Sequence, residues 1–390
     1  MKHETIVLIP NYNGRQHLDE CLSSLHEQTY RDFKIVFIDD FSKDNSILFV
    51  RTNFPDVDVL ALPENMNFAR GVNIGMKYAI DKYSPKYIAV LNNDTKADKD
   101  WLKHLVAAID SKERIAAVAS NMLFYDNHRI INSQGGTYNF FGEGHDINMY
   151  KNRSEVKEAR SSVLSTCWGA TLIKTEYIKN IGYLDGRYTA YFEDLDWGWR
   201  ANLFGYKLIF EPKAIVYHKG SSSWKNQEIR KYYLCLRNSL CTMLKNYEFR
   251  SLVKILPVIF SNYLFFYIGR LFSSSRKNPD ELSFYKRLRY SLIPVRLLLW
   301  NAGNLPKTLY LRRSIQSRRK ISDAEIFRFF TPVKHRLLSA KPESHFMKYS
   351  RFSPPNLFLF FSGCIGKTIK AFSPKAYRKL KKHEHVWVRK

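Results

Sequence analysis

Short, unbroken apolar runs alternate with helical patterns through the first half of the chain, and this alternation limits the possible architectures most strongly. Each run lacks the polar positions that a solvated sheet face requires, which indicates strands covered on both faces and a largely parallel sheet. The runs predict strands over residues 6–9, 34–38, 57–62, 87–91, 115–119, 166–173, 207–210 and 214–217. Apolar residues at helical spacing predict helices over residues 18–25, 73–80, 101–109, 177–181 and 195–203. The pattern therefore predicts an α/β domain.

Two segments in the middle of the chain lack this periodicity. Residues 134–144 are rich in glycine and aromatic residues, so they fit neither template. Residues 150–162 are polar and charged, which is typical of a mobile surface loop.

Net charge divides the sequence near residue 224. The chain has 390 residues and a formal charge of +26, yet residues 1–224 hold 27 Lys and Arg against 28 Asp and Glu. Residues 225–390 hold 35 against 8, so the whole excess lies in that part. We predict a domain boundary at residues 221–225, with an α/β domain over residues 1–224 and a basic region over residues 225–390.

The basic region is predicted to be mainly α-helical. Residues 230–247 and 285–300 mix apolar with basic residues as amphipathic helices do, and Pro257 and Pro294 are expected to kink or break them. The apolar stretch 256–271 is short for a bilayer span, which needs about 20 apolar residues. We interpret it as buried or interfacial.

Cysteine usage and the first residues indicate a reducing, cytoplasmic setting. The five cysteines are scattered without paired metal-ligand spacing, which argues against a disulfide framework or a zinc site. The chain leads directly from Met1 into a short strand, without the layout of a signal peptide.

Polar clusters follow three of the predicted strands directly, at residues 11–14, 39–40 and 92–94. In an open α/β sheet, ligands bind beyond the carboxyl ends of the strands. There Asp39 could accept hydrogen bonds from a nucleobase and Asp94 could hold a divalent cation. Turns and helix caps favour the same residue types. Three such clusters on strand ends favour a ligand site over turns alone.

Residues 192–197 hold three carboxylates, Glu193, Asp194 and Asp196, among aromatic residues. Acidic residues stabilise a helix N-terminus, so a structural role alone is possible. Partial desolvation by the aromatic residues would suit a general base. His218 follows a predicted strand and precedes Gly220 and a run of serines, a setting suited to phosphate. A lone histidine is nevertheless more often structural.

Taken in order, these motifs resemble the inverting family 2 glycosyltransferases with the GT-A fold, particularly the rhamnosyltransferase-like branch. The resemblance covers about residues 5–223. The matching motifs are residues 9–14 (IPNYNG), 38–46 (IDDFSKDNS), 64–75 (ENMNFARGVNIG), 91–95 (LNNDT), 191–196 (YFEDLD) and 216–220 (VYHKG).

The resemblance implies an enzyme that moves a sugar, with inversion, from a dTDP- or UDP-linked donor such as dTDP-rhamnose to a hydroxyl of a glycan or lipid-linked glycan. It implies that Asp194 is the catalytic base and that Glu193 lies beside it in the acceptor pocket. It implies that Asp94 and His218 hold Mg²⁺ or Mn²⁺ with the donor diphosphate. The donor-binding residues it implies are Pro10, Tyr12, Asp39, Asn65, Gly71, Asn73 and Asn93. One departure from the family pattern is that residues 92–94 supply a single carboxylate.

The basic region needs a partner for its charge. Basic helices with interleaved apolar residues suit an anionic membrane surface, which predicts peripheral attachment to the inner face of the cell membrane. Nucleic acid is the weaker alternative, since no nucleic-acid-binding module is recognisable, and an oligomer-forming bundle is a third. For the whole chain, the alternatives are a nucleotidyltransferase of similar layout and a basic membrane- or nucleic-acid-binding protein with a degenerate catalytic domain.

Overall fold

A computed structural model describes residues 3–110, 114–140, 142–220, 227–272, 289–290 and 292–331. It divides into two compact units. The first comprises Met1–Thr137 and Gly144–Gln227, and the second comprises Tyr138–Glu143 and Glu228–Lys390. The boundary predicted at residues 221–225 lies outside the described residues.

Strands of the first unit build a mixed, mostly parallel sheet of ten strands among the described residues, with the central order β10-β12-β6-β11-β4-β1-β2-β3. Strands β8 and β9 pair in a separate sheet of two strands. The strand bounds are β1 (Thr5–Asn11), β2 (Phe33–Asp39), β3 (Asp58–Ala61), β4 (Tyr87–Leu91), β5 (Thr95–Ala97), β6 (Ile115–Phe124), β7 (Asn127–Ser133), β8 (Gly136–Tyr138), β9 (Gly144–Asp146), β10 (Ser161–Ser162), β11 (Ala170–Lys174) and β12 (Lys207–His218). Strand β1 runs parallel to β2 and β4, whereas β11 runs antiparallel to β4 and β6. The predicted α/β class is confirmed.

Helices of the first unit lie between these strands along the chain. Their bounds are α1 (Arg15–His26), α2 (Ser46–Asn53), α3 (Asn67–Tyr83), α4 (Trp101–Ile109), α5 (Thr175–Ile181) and α6 (Glu193–Leu203). The apolar residues that predicted α1, Leu18, Leu22 and Leu25, are fully buried in a core that also contains Trp101 and Leu105 of α4. Burial of these side chains against the sheet fixes the positions of the strand ends that carry the polar clusters.

Two predictions for the first unit were wrong. Residues 207–217 form one strand with a bulge instead of two strands, because Pro212 interrupts the ladder between Phe210 and Ile215 without ending the strand. Residues 150–162 are not simply a surface loop. They contain a 3₁₀ turn at Arg153–Glu155 and strand β10, which pairs with β12.

The second unit is helical where it is described, which confirms the predicted class of the C-terminal region. Its helices are α7 (Glu228–Asn246), α8 (Phe249–Phe272), α9 (Ile293–Gly303), α10 (Leu305–Arg318) and α11 (Asp323–Ile326), followed by a 3₁₀ turn at Phe327–Phe329. Residues 332–390, with much of the basic charge, lie outside the described residues. Within the described part of the chain, no helix combines the length and apolarity that a membrane span requires.

Prolines in this unit behave differently from one another. Pro257 lies inside α8, whereas Pro294 occupies the first turn of α9. Pro294 therefore begins α9 and does not kink it, because a proline at the start of a helix lacks only an N–H that has no intrahelical partner there. Residues 289–290 are helical and Leu292 is a turn, which agrees with the break predicted at Pro294.

Side chains of α10 donate hydrogen bonds to the backbone at the C-terminal end of α7. Arg312 Nη1 donates to the carbonyls of Leu244 and Tyr247 at 2.8 and 2.6 Å, and Gln316 Nε2 donates to the Lys245 carbonyl at 3.0 Å. These bonds satisfy carbonyls that have no partner within a helix.

Candidate functional site

The polar clusters at the ends of β1, β2 and β4 join in one hydrogen-bond network. Asn11 Nδ2 donates to Asp39 Oδ1 and to Ser42 Oγ, each at 3.0 Å. Asn93 Nδ2 donates to Asn11 Oδ1 at 2.6 Å. Asn11 and Asp39 are almost completely buried and stand opposite each other in the β1–β2 ladder. The structure therefore brings Asp39 and Asn93 together through Asn11.

Gly14 permits the close approach of this network to α1. A Cβ atom at this position would lie 2.0 Å from Asn93 Nδ2 and 2.6 Å from Asn11 Oδ1, so both amide groups would have to shift. Nearby, Tyr12 leaves 52 % of its surface exposed and Pro10 is half-buried. An aromatic ring exposed beside buried hydrogen-bonding groups can stack against a planar ligand such as a base.

Asp40 holds the segment that leads into α3. Its Oδ1 accepts a hydrogen bond from the Met66 amide at 2.6 Å, and its carbonyl accepts one from Asn65 Nδ2 at 3.5 Å. Burial raises the pKa of the Asp40 carboxyl, although hydrogen bonds from the Met66 and Asn67 amides oppose the shift. Asn65 is exposed and lies in the segment between β3 and α3.

Gly71 and Asn73 of α3, both predicted to bind the sugar donor, are buried and half-buried. Asn73 exchanges hydrogen bonds with the backbone of Leu184: Nδ2 donates to the carbonyl at 2.9 Å, and Oδ1 accepts from the amide at 3.0 Å. Arg70 Nε donates to the Gly186 carbonyl at 2.9 Å. Gly71 is buried, with the Leu62 side chain 3.7 Å from the place of a Cβ. In this arrangement Asn73 positions the loop that precedes α6.

Asp94 and His218 form a pair at the edge where β5 meets β12. His218 Nε2 lies 3.2 Å from Asp94 Oδ1, and His218 Nδ1 lies 3.0 Å from Asn132 Oδ1. Antiparallel pairing of Thr95 with His218 brings the two segments together. A histidine whose Nδ1–H is held by an oxygen presents the lone pair of Nε2, as metal-binding histidines do.

The Asp94–His218 pair fits a divalent cation in part. A carboxylate oxygen and an imidazole nitrogen are both ligands of Mn²⁺, while Mg²⁺ prefers oxygen. In the described ranges, no group of three or more His, Cys, Asp and Glu is arranged to hold a metal ion. The described residues therefore offer two ligands, and donor oxygens would have to complete the coordination.

A basic residue that sequence reasoning did not single out lies beside this pair. The Lys219 amide donates to the Asp94 carbonyl at 3.0 Å, and Lys219 Nζ lies 2.6 Å from Glu20 Oε2. Tyr125 Oη donates to Glu20 Oε1 at 2.6 Å. Burial lowers the pKa of His17, while the negative charge of Asp94 opposes that shift. The only signal for Lys219 in the sequence is its place next to His218.

Glu193 and Asp194 begin α6 after two strained residues. Tyr191 and Phe192 have φ of 67° and 74°, in the left-handed region that large side chains avoid. Burial, and next the charge of Asp194, raises the pKa of Glu193 to about 8. Burial, and next the charge of Asp146, raises the pKa of Asp194 to about 6. At neutral pH, Glu193 therefore keeps its proton while Asp194 is ionised.

The surroundings of the two carboxyls differ. Glu193 is only 8 % exposed, and among the described residues its Oε2 has no hydrogen-bond partner. Asp194 is half-buried, and its Oδ1 accepts a hydrogen bond from the Leu195 amide at 2.7 Å. A buried polar atom without a partner is costly unless a ligand satisfies it.

Helix α6 is fixed tightly behind the two carboxyls. A Cβ at Gly198 would lie 2.6 Å from the Leu164 carbonyl oxygen, to which Asn202 Nδ2 donates at 2.9 Å. Asp196 pairs with Arg200 at 3.0 Å, and Arg200 Nη2 donates to the Tyr183 carbonyl at 2.9 Å. Asp196, the third carboxylate of the acidic motif, therefore holds the helix in place.

Two adjoining residues connect the Asp94 motif with the Asp194 motif. The Asn92 amide donates to the Gly169 carbonyl at 2.8 Å. The Trp168 amide hydrogen-bonds the Asp194 carboxylate. A short segment therefore links the metal-binding candidate to the candidate base, which are 100 positions apart in the sequence.

Comparison with known proteins gives these residues a family. A family model described as "Glycosyl transferase family 2" matches residues 6–182, which include the strand-end clusters and the segment beside Asp194. Residues 6–182 are a family 2 glycosyltransferase domain. The chain is 26 % identical over 215 residues to a poly-beta-1,6-N-acetyl-D-glucosamine synthase of Staphylococcus epidermidis, which covers 54 % of this chain and 48 % of the relative. The chain thus spans about half the length of the curated relatives it matches.

Another relative matches part of the chain, and a solved structure shares its fold. An uncharacterized glycosyltransferase of Haemophilus influenzae is 27 % identical over 117 residues, 29 % of this chain and 35 % of that protein. The crystal structure of GalNAc-T7 with UDP, GalNAc and Mn²⁺ superposes with a TM-score of 0.51 at 17 % identity, covering 78 % of this chain and 58 % of that one. The superposition confirms the predicted GT-A fold. Assignment to the rhamnosyltransferase-like branch stays a prediction.

The family 2 domain also contains a carboxylate that the sequence did not reveal. Asp146 of β9 accepts a hydrogen bond from Ser133 Oγ at 2.7 Å, and its charge acts on Asp194. It follows the glycine-rich segment 134–144, where no periodicity marked it as part of a site. The roles of Asp194, Glu193, Asp94, His218 and the donor-binding residues stay predictions.

Proposed function

We propose that the first unit, which contains the family 2 domain, transfers a sugar, with inversion, from a nucleotide-diphosphate sugar to a hydroxyl of a glycan or lipid-linked glycan. The observation that carries this proposal is the half-buried carboxylate of Asp194, whose raised pKa suits a general base. It is linked through Trp168 and Gly169 to the motif that contains Asp94. The relatives named for polysaccharide synthesis and glycosyl transfer support the same reaction class.

Asp194 acts on the acceptor. Its ionised carboxylate takes the proton of the acceptor hydroxyl as that oxygen forms a bond to the anomeric carbon. The bond from the anomeric carbon to the diphosphate breaks with its electron pair, which leaves a nucleoside diphosphate and an inverted product. A base with a pKa of about 6 accepts this proton more readily than an ordinary aspartate does.

Glu193 orients the acceptor. Its protonated carboxyl can donate a hydrogen bond from the otherwise unpartnered Oε2 to a second acceptor oxygen. Trp168 Nε1, also buried and without a hydrogen-bond partner among the described residues, offers a further donor. A sugar ring with several hydroxyls would satisfy both groups.

The donor would bind at the ends of β1, β2 and β4. Asp39 is hydrogen-bonded to Asn11 and to the Ser42 amide, yet a carboxylate has further lone pairs for the imide N–H of uracil or thymine. Tyr12 would stack on the base. The donor is therefore dTDP- or UDP-linked, and rhamnose is the sugar that the resemblance favours.

Asp94 and His218 would hold Mg²⁺ or Mn²⁺ with the donor diphosphate. A bound cation would neutralise the charge that develops on the leaving diphosphate. The GalNAc-T7 structure contains UDP and Mn²⁺ together, which supports this pairing of ligands.

A screen of nucleotide sugars with the purified chain and Mn²⁺ tests the proposal. We expect one donor to yield a nucleoside diphosphate together with a glycosylated acceptor or a free sugar. A nucleotidyltransferase would release no nucleoside diphosphate from these donors, but would release inorganic diphosphate when given a nucleoside triphosphate and a sugar phosphate. A degenerate domain would release neither product. Either of those results would contradict the proposal.

The basic region would attach the enzyme to an anionic membrane on the cytoplasmic side. The excess of 35 Lys and Arg over 8 Asp and Glu beyond residue 224 supports this partner, because each basic residue near such a surface contributes about 1 kcal/mol. There the domain would meet a lipid-linked acceptor.

A further inference from the structure

Helices α9 and α10 of the second unit bury one face each. In α9, Ile293, Leu297 and Asn301 are buried at intervals of four residues. Asn301 Nδ2 donates to the Arg237 carbonyl of α7 at 3.2 Å. In α10, Thr308 is buried, with its hydroxyl 3.7 Å from Cys241 Sγ of α7. Both helices therefore turn one side toward α7.

The remaining surface of the two helices exposes several large apolar side chains. Leu299 is 68 % exposed and Tyr310 is 72 % exposed, so neither side chain is part of a core. The exposed large apolar side chains, here called the apolar face, are Leu292, Val295, Leu298, Leu299, Leu305, Leu309 and Tyr310. A set of seven such residues within 19 positions is denser than the single exposed apolar residues of an ordinary surface, and it indicates an interaction site.

Positive charge surrounds the apolar face. Arg296, Lys307 and Arg313 are exposed on the same two helices. Residues 282–322 contain no Asp or Glu at all. This charge indicates which partner covers the apolar face. A second copy of the chain would place cations against cations. An anionic lipid surface offers both negative headgroups and an apolar layer.

We propose that the apolar face inserts into the headgroup region of an anionic bilayer and docks the chain there. This inference rests on the proposed membrane association and names the element responsible. Helices α9 and α10 have 11 and 14 residues, fewer than the about 20 that a bilayer span needs. They therefore lie in the interface, with Leu299 and Leu309 toward the acyl chains and Lys307 and Arg313 at the headgroups.

Flotation of the full chain with vesicles tests the inference, and needs neither donor nor acceptor. The wild type should float with vesicles of phosphatidylcholine and phosphatidylglycerol and stay behind with phosphatidylcholine alone. The double variant Leu299→Glu, Leu309→Glu should partition at least about tenfold more weakly, since it lacks two leucines that the bilayer would bury. Lys307→Gln with Arg313→Gln should weaken binding to the mixed vesicles about fivefold per residue.

Leu48→Glu is the matched control, because Leu48 is 65 % exposed on α2 of the other unit. It should bind vesicles as the wild type does. Thermal melting and donor turnover in solution should be unchanged in the leucine variants, so that loss of binding reflects the surface and not the fold or the active site. Equal flotation of the double variant and the wild type would overturn the inference. So would absence of wild-type flotation, or a concentration-dependent dimer that Leu299→Glu dissolves.

Discussion

At the scale of single residues, two adjacent carboxyls of α6 differ in protonation at neutral pH. Glu193 and Asp194 are neighbours in sequence, and burial is the main cause of the raised pKa of both. Glu193 is the more deeply buried and faces the charge of Asp194, so it keeps its proton to higher pH. Such a difference between adjacent groups is what assigns one as a hydrogen-bond donor and the other as a base.

Turnover should follow the ionisation of Asp194. Because its folded-state pKa is about 6, kcat/KM should rise as pH increases through about 6, well above the limb near 4 that an ordinary aspartate would give. The variant Asp146→Asn removes the second cause of the shift, so its limb should move to lower pH. A pH–rate profile of both proteins measures this. Coincident limbs would show that Asp146 does not act on the base.

Stability should depend on pH through Glu193. Its folded pKa of about 8 lies above the value of about 4.3 for an unfolded chain, so between these values only the unfolded state ionises. The free energy of unfolding should therefore fall as pH rises through this window. Glu193→Gln, which cannot ionise, should be more stable than the wild type at pH 8 by on the order of 4 kcal/mol and nearly equal at pH 4. Urea titrations test this, and a difference independent of pH would contradict the burial of a protonated Glu193.

Asn132 should affect metal use without touching the donor. It holds His218 Nδ1 at 3.0 Å and thereby orients Nε2 toward Asp94. Asn132→Ala should raise the Mn²⁺ concentration for half-maximal turnover by about tenfold or more. Asn148→Ala, which removes an amide that contacts Gln134 instead, is the control. An unchanged Mn²⁺ requirement in Asn132→Ala would remove His218 from the metal site.

At the scale of elements, the close packing of α6 against residues 164–165 positions the base. Gly198→Ala places a methyl 2.6 Å from a backbone oxygen, and backbone cannot move aside as a flexible side chain would. We expect a loss of about 1–3 kcal/mol in stability and a lower kcat. Gly303→Ala in α9 is the control, since a Cβ there meets nothing within 4 Å. Equal melting curves for the two variants would mean that α6 can shift.

Sequence patterns located most of the sheet and helices of the first unit because buried strands leave unbroken apolar runs. Strand β7 escaped notice because its first three residues are exposed and polar, and β12 appeared as two strands because Pro212 interrupts its pairing. For the site, clusters that directly follow a strand were visible. Asp146, Lys219 and Trp168 could not be predicted as site residues. Only the folded chain brings Asp146 and Trp168 beside Asp194, and Lys219 beside Asp94.

At the scale of the whole molecule, charge and fold divide the chain in similar places. The acidic and basic residues of the first 224 positions nearly balance, and the family 2 domain lies within them. The later helices carry the basic excess and an apolar face. Each part thereby has a separate task in our account: sugar transfer in the first, and docking on a membrane in the second.

The turnover of Asp194→Asn, with the donor and acceptor identified by the nucleotide-sugar screen, tests whether Asp194 is the catalytic base. We predict a fall in kcat/KM of about 10²–10⁴, the contribution of a positioned general base, with donor affinity unchanged. Asp196→Asn should mainly lower the melting temperature, since Asp196 pairs with Arg200. If Asp194→Asn keeps the rate of the wild type within a few-fold, Asp194 is not the base and the proposed mechanism is wrong.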